Sequence, residues 1–235
     1  MQIEKAIKII DLGLYLKKEK VLILGDFHIG FEEALEKQGT LIPRMQFEKT
    51  IKRLEKILKK VKPETIVING DLKHEFGKIS EQEWADSLKL IDFLEKHCKQ
   101  VVLVKGNHDT ILDPIALEKK LKVVESVEFG EVQVIHGHKV PVNLTGRVII
   151  IGHEHPAVTL SDDITQEKFK CFLKGKFQDK TLIVMPSFNL VTIGTDVLRE
   201  KTISPFLQQD LSDFECWVIA KPNETLYFGK LRNLM

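Results

Sequence analysis

Five short apolar runs in this chain lead into residues that can ligate a metal or carry a proton, and this regularity constrains the fold more than any other feature. The runs are VLILG (21–25), TIVIN (65–69), VVLVK (101–105), VQVIH (132–136) and VIIIG (148–152). They deliver Asp26-Phe27-His28, Gly70-Asp71, Gly106-Asn107-His108-Asp109, His136-Gly137-His138 and His153-Glu154-His155. A sixth run, TLIVM (181–185), has no such tail. Each run is brief, rich in Val and Ile, and bounded by Gly, Asn, Pro or charge, which predicts buried strands rather than helices. In α/β proteins the chemistry sits at the carboxyl ends of strands, where these polar residues fall.

Helical periodicity fills the gaps between the early runs. FEEALEKQ (31–38) is one candidate. In FEKTIKRLEKILKKV (47–61), Ile51, Leu54, Leu58 and Val61 share a face and lysines cover the other. EQEWADSLKLIDFLEKH (81–97) follows Ser80 as N-cap, with Glu83 completing a capping box. A shorter helix is predicted after Pro114, through Leu121. From about residue 122 the texture changes: VVESVEFGEVQVIHGH predicts a hairpin turning near Gly130, and FKCFLKG, TLIVM, ECWVIA and ETLYFGK continue as strands. The first half reads βαβαβ and the second mostly β. A helix-flanked parallel sheet joined to a second, more antiparallel sheet accounts for both. No break in composition divides the chain, so residues 1–235 are expected to form a single domain.

Lys and Arg number 35 against 34 Asp and Glu, a formal net charge of +1, so no strong overall field favours nucleic acid or an acidic membrane. The lysines of the 47–62 helix could track a nucleic-acid backbone, but a solvated face is the simpler account. Cys98, Cys171 and Cys216 form no CxxC and no even framework, as expected of reduced, mostly buried thiols. MQIEKAIKIIDLG carries acids and lacks a cleavage site, and no apolar run approaches a membrane span. The expected location is cytoplasmic, with no membrane partner.

Taken singly, the polar tails have bland explanations. Gly-Asp is ordinary turn chemistry, and HGH suits a turn with one satisfied core histidine. Jointly they demand more, because five unrelated turns would each have to acquire Asp, Asn or His at the same structural position. Metal binding explains them together. Carboxylate, amide oxygen and imidazole suit divalent Mn, Fe, Zn, Co or Ni, and the lack of Cys in every motif argues against a structural zinc site. The ligands are too many for one ion. They fit two ions roughly 3.5–4 Å apart that share a bridging carboxylate.

The ordered set D-x-H, GD, GNHD, HG, GHxH resembles the calcineurin-like metallophosphoesterase superfamily over residues 25–155, about half the chain. More narrowly, GDFHIGFEEAL and VMPSFN (184–189) are similar to a prokaryotic branch of small phosphoesterases, some bacterial relatives of which are associated with DNA ligase and helicase genes. The resemblance implies an α/β fold, the two-sheet αββα sandwich of the metallophosphoesterase type. It implies Asp26 and His28 on a first metal, Asp71 as the bridge, and Asn107 on a second metal. His136, before the glycine, is the expected ligand in preference to His138. His153 then goes to the second ion and His155 to the first, from one side of a strand that Pro156 ends, with Glu154 pointing away. His108 is expected to donate a proton to the leaving group, and Asp109 to orient the loop or the imidazole, though a purely structural Asp109 is equally consistent.

The implied activity is hydrolysis of a phosphate ester by a hydroxide bridging two divalent ions, manganese first among the candidates. Phosphodiesters are favoured, nucleotides or nucleic acid among them. Phosphomonoesters and a non-catalytic metal-binding scaffold are the alternatives. One departure bears on this: the phosphoprotein phosphatases carry an arginine shortly after the bridging Asp, and here the sequence continues GDLKHEFG. Lys73 or His74 could face phosphate instead, or the loop is simply exposed. Asn189 and Arg44 are further candidate substrate contacts, whereas Trp84 and Trp217 read as core. A nuclease should show a basic cleft, and a small-molecule esterase a narrow pocket.

Overall fold

The computed structural model describes residues 1–40, 43–75, 79–109, 113–161 and 165–234. In it the apolar runs become the centres of two sheets. The first contains β1 (Gln2–Glu4), β2 (Ile7–Ile10), β3 (Gly13–Leu16), β4 (Val21–Leu24), β5 (Thr65–Asn69), β6 (Gln100–Val104) and β7 (Lys122–Val124), in that spatial order. Strands β4 to β7 are parallel. All four residues of β4 are buried, and so are the last four of β5 and β6, as in a parallel sheet covered on both faces.

Helices α1 (Phe31–Lys37) and α2 (Gln46–Leu58) connect β4 to β5, α3 (Glu81–Glu95) connects β5 to β6, and α4 (Asp113–Lys119) connects β6 to β7. Sequential parallel strands joined by right-handed crossovers place such helices on one face of their sheet. Ser80 caps α3, its hydroxyl oxygen accepting the Glu83 N–H at 3.0 Å. The expected reciprocal arm goes elsewhere: Glu83 Oε1 accepts the backbone N–H groups of His74 (2.8 Å) and Glu75 (3.0 Å), tying α3 to the loop after Asp71.

The second sheet holds β8 (Ser126–Phe129), β9 (Val132–Ile135), β10 (Val148–Ile151), β11 (Pro156–Ser161), β12 (Gln166–Phe177), β13 (Lys180–Val184), β14 (Thr195–Asp196), β15 (Glu215–Lys221) and β16 (Glu224–Lys230). Its main order is β14-β11-β12-β13-β10-β9-β8, with β15 pairing β12 and β16. The hairpin of β8 and β9 turns at Gly130 as expected, while Lys122–Val124 belong to the first sheet. Only Glu125 separates β7 from β8, so the chain crosses between sheets there.

Period-two alternation divides the buried residues of the second sheet. Val148, Ile150, Phe172, Ile183 and Trp217 join the core shared with the first sheet. Ile149, Ile151, Cys171, Leu182 and Val184 face a second core, closed by Phe206, Leu207, Leu211, Phe214 and Leu231. The two-sheet sandwich is therefore as the sequence predicts. Over the outer face of the second sheet, among the described residues, the covering layer contains short 3-10 turns (Pro205–Leu207 and Leu231–Asn233). No described helix is long and apolar enough to cross a membrane.

Candidate metal centre

Five loops at the carboxyl ends of β4, β5, β6, β9 and β10 meet in one place. Their backbone is unusual. Asp26, His28, Asp71, His153 and His155 all adopt φ between 46° and 62°, the left-handed region that non-glycine residues avoid. Such strain, about 1–3 kcal/mol per residue, persists where surrounding structure enforces it and collects at functional sites. This corrects the strand reading of His153 and His155. β10 ends at Ile151, and two left-handed turns, not a pleat, aim the imidazoles. Pro156 opens β11 instead of ending a strand, a position where its missing N–H costs no ladder bond. Glu154 does point away, its carboxylate accepting the N–H groups of Ile203 (2.9 Å) and Ser204 (2.8 Å).

The side chains converge in two trios, Asp26/His28/His155 and Asp71/His136/His153, each with its ligand atoms within 4.8 Å of one another. His155 Nε2 lies 3.3 Å from Asp26 Oδ1, and His28 Nε2 lies 3.4 Å from His155 Nε2. Asp71 spans both trios: its Oδ2 is 3.4 Å from His136 Nε2 and 3.7 Å from His28 Nε2. Asn107 reaches the second trio, its Oδ1 3.0 Å from His136 Nε2. His138 stands outside, its ring centroid 5.3 Å from that of His136 and 6.1 Å from that of His153.

Two motif glycines permit these approaches. A Cβ on Gly106 would lie 2.1 Å from Asp71 Oδ1, and one on Gly152 2.3 Å from Asp26 Oδ2. Any side chain there would evict a carboxylate.

The electrostatics are those of a cation site. Burial, and then the charge of His155, push His28 down to about 3. Burial, and then His136, push His153 down to about 4. Both imidazoles are therefore neutral at pH 7, the state that ligates. Burial opposes a charge on His136, but Asp71 and Asp26 outweigh it and raise the group to about 9. Burial likewise works against the Asp71 carboxylate, yet His136, His28 and His108 hold it well below the usual range. In the metal-free protein a proton on His136 thus sits between two carboxylates, where a cation would otherwise balance them. Nitrogen and oxygen donors without thiolate fit a pair of divalent ions.

His108 lies against the same space. Its backbone N–H donates to Asp71 Oδ1 at 2.9 Å, its Nδ1 bonds the carbonyl of His74, and its Nε2 is 3.9 Å from Asp71 Oδ2. Because a carbonyl only accepts, Nδ1 carries the hydrogen and Nε2 faces the trios. Asp109 is fully buried. Its oxygens accept the N–H groups of Leu72 (3.1 Å) and Gly106 (2.9 Å), so it fastens one loop to the other. Burial, and then the charge of Asp71, raise it to about 7.

Several other candidates fall elsewhere. Lys73 is buried with its ammonium on the Glu75 carbonyl, so it neither faces the site nor lies in an exposed loop. Phe76 and Gly77 of GDLKHEFG are outside the described residues. Asn189 is buried and its Oδ1 accepts the Val191 and Thr192 N–H groups, a turn role in place of a substrate contact. Arg44 is bound to Glu36 at 2.6 Å on the surface. Trp217 is core and Trp84 packs against it. His74 is more involved than the sequence suggests: it groups with His28 and His108, its Nδ1 3.4 Å from His28 Nδ1, and no motif spacing announces it. A cavity of about 400 Å³ opens beside His136 and His138, walled by Lys105, Val140, Pro141 and Val142.

A search of curated proteins by sequence gave no match. Among solved structures, the Pseudomonas putida nuclease MPE superposes with a TM-score of 0.64 at 20% identity, covering 93% of this chain and 92% of that one. The Escherichia coli phosphoesterase Yfce gives a TM-score of 0.42 at 16% identity, over 89% and 97% of the two chains. The family model for calcineurin-like phosphoesterases matches residues 19–210, an interval that contains all five converging loops, and the chain accordingly belongs to the calcineurin-like phosphoesterase family.

Proposed function

We propose that this chain is a dinuclear metal-dependent phosphodiesterase, cytoplasmic and folded as one domain. The observation that carries the reading is the position of Asp71, whose carboxylate stands between the two trios. On this reading Asp26, His28 and His155 hold one ion, Asn107, His136 and His153 hold the other, and Asp71 is shared. When bound, such a pair of divalent ions lowers the pKa of water and offsets charge on phosphoryl oxygens. The protein's own contributions are to fix the ligands through strained turns, to keep His28 and His153 neutral, and to aim His108 Nε2 at the site, where it can donate a proton from the imidazolium form. Asp109 acts by position alone, locking the 106–109 loop onto Leu72.

A diester is favoured over a monoester because no described arginine reaches the trios, and Lys73 is committed to Glu75. Beyond the ions, the second negative charge of a monoester would find no arginine among the described residues to meet it. Nucleotide or nucleic-acid diesters are the class we infer; the nuclease of similar fold supports this by analogy only. The test is hydrolysis of bis-p-nitrophenyl phosphate and p-nitrophenyl phosphate by manganese-loaded protein. Faster turnover of the diester is expected. Faster turnover of the monoester would reverse the preference, and turnover of neither by protein carrying two ions would leave a scaffold.

Metal affinity should depend on pH with a definite sign. Below about 9, His136 carries a proton in the metal-free protein. A cation must displace it, so affinity rises with pH, about tenfold per unit for one proton, and levels above that pH. Calorimetric titration of manganese in buffers of different ionisation enthalpy counts the proton released. No release at pH 7.5 would remove His136 from the ligand set.

A further inference from the structure

A cavity of about 530 Å³ lies away from the trios, between α2 and the β12–β15 edge of the second sheet. One wall carries Lys49, Lys52 and Lys56, and the facing wall carries Lys170 and Lys221. Arg53 and Lys168 also line it, but they are committed to Asp11 and Glu200. Glu167 is the acid in the lining. Lys49, Lys56, Lys170 and Lys221 have no ion pair among the described residues. Lys52 meets Glu48 only at 3.9 Å, with both side chains more than two-thirds exposed. Such a pair is worth little. A chain of net charge +1 has therefore concentrated five uncommitted ammonium groups on one cavity.

Lys170 is the most telling of them. Its ammonium is sunk beneath the cavity and donates to a neutral partner, Ser187 Oγ, at 2.6 Å. Burial, and then the charge of Arg53, push it down to about 7. Asp26 offsets this only in part, and a desolvated ammonium whose hydrogen-bond partner is a neutral hydroxyl is stabilised by a nearby anion.

The cavity is also joined to the metal centre. Residues Leu190, Thr192 and Ile193 form part of its lining, and the segment they belong to is pinned at both ends to the first trio. The Asn189 N–H donates to the Asp26 carbonyl, and the Thr195 N–H to the His155 carbonyl, each at 3.0 Å. Whatever lies in the cavity is therefore one loop's width from Asp26 and His155. The apolar residues Ile193 and Ile219 line the cavity among these lysines. Lysines interspersed with apolar side chains match the alternation of phosphates and bases along a single strand.

We propose that this groove holds the phosphates of a nucleic-acid strand and leads it toward the Asp26/His28/His155 side of the metal centre. The proposal rests on the phosphodiesterase reading for its direction, since a polynucleotide is the substrate it specifies. The solvated-face account of the 47–62 lysines leaves the facing lysines and the half-buried Lys170 unexplained.

The test is equilibrium binding of a fluorescent single-stranded 20-nucleotide DNA to the full chain in EDTA, by anisotropy across a series of salt concentrations. Lys52, Lys56 and Lys221 are exposed, so the variant K52A/K56A/K221A should keep its melting temperature. Its affinity is expected to fall about tenfold or more, and its log–log salt slope to shrink by about 2, at roughly 0.7 per lost contact. Equal affinity and slope in the two proteins would overturn the proposal. So would salt-sensitive binding to phosphatidylserine vesicles with none to the oligonucleotide. The measurement needs no turnover. Hydrolysis of bis-p-nitrophenyl phosphate without groove-dependent DNA binding sinks the groove alone, and groove-dependent binding without hydrolysis sinks the hydrolase reading alone.

Discussion

Asp71→Ala is expected to lower diester turnover about a thousandfold or more and to leave the protein with one bound ion or none. The size follows from what the carboxylate does in the proposed site. Its Oδ2 lies within 3.7 Å of a histidine in the opposite trio and 3.4 Å of one in its own, a position that suits a carboxylate shared between two ions. Losing several kcal/mol of charge stabilisation at a phosphoryl centre corresponds to three or more decades in rate, at about 1.4 kcal/mol per decade. The substitution also removes the acceptor for the His108 N–H. Asp71→Asn separates these effects, because it keeps volume and an acceptor oxygen while deleting the charge. Turnover and inductively coupled plasma measurement of bound metal should fall together in both variants. Wild-type rates with two ions bound would show that Asp71 bridges nothing.

How much of this was legible in the sequence depends on the length of the signal. That the five polar tails meet was legible because buried parallel strands set where their carboxyl ends lie, and the strands announce themselves as unbroken Val and Ile runs. The means of meeting was not legible. Nothing in His-Glu-His distinguishes a pleated strand from a pair of left-handed turns; the choice is made by Gly152, which lets Asp26 approach, and by Glu154, which is drawn to the Ile203 and Ser204 N–H groups. Strands β1, β2 and β3 were missed for a different reason. They are three or four residues long and are separated by left-handed Ala6 and Asp11, and alanine is not a turn-former by type. The alternation of buried Ile7, exposed Lys8 and buried Ile9 was the available cue, too short to outweigh its charged surroundings. The amphipathic helix was legible to within a few residues, at 47–61 against Gln46–Leu58. What its lysines face was not, because the opposite wall comes from residues more than a hundred positions later.

His108→Ala is expected to keep both ions yet lose activity in proportion to how much the leaving group needs a proton. None of the closest contacts within the two trios involves His108. Its imidazole is anchored instead by Nδ1 to the His74 carbonyl, with Nε2 turned to the site. A positioned general acid contributes typically 10²–10⁴-fold, about 3–5 kcal/mol, when the departing oxygen is a poor leaving group. Ribosyl and deoxyribosyl alkoxides are such groups, so a dinucleotide or oligonucleotide should lose that full factor. The p-nitrophenolate anion departs with little assistance, so bis-p-nitrophenyl phosphate should lose much less. The ratio of the two losses is the discriminating quantity. A residue that merely braces the loop through its Nδ1 bond to the His74 carbonyl would depress both substrates equally and disturb metal binding as well. Equal losses would therefore convert His108 from proton donor to structural support, while an unequal pair with metal content intact supports the catalytic assignment.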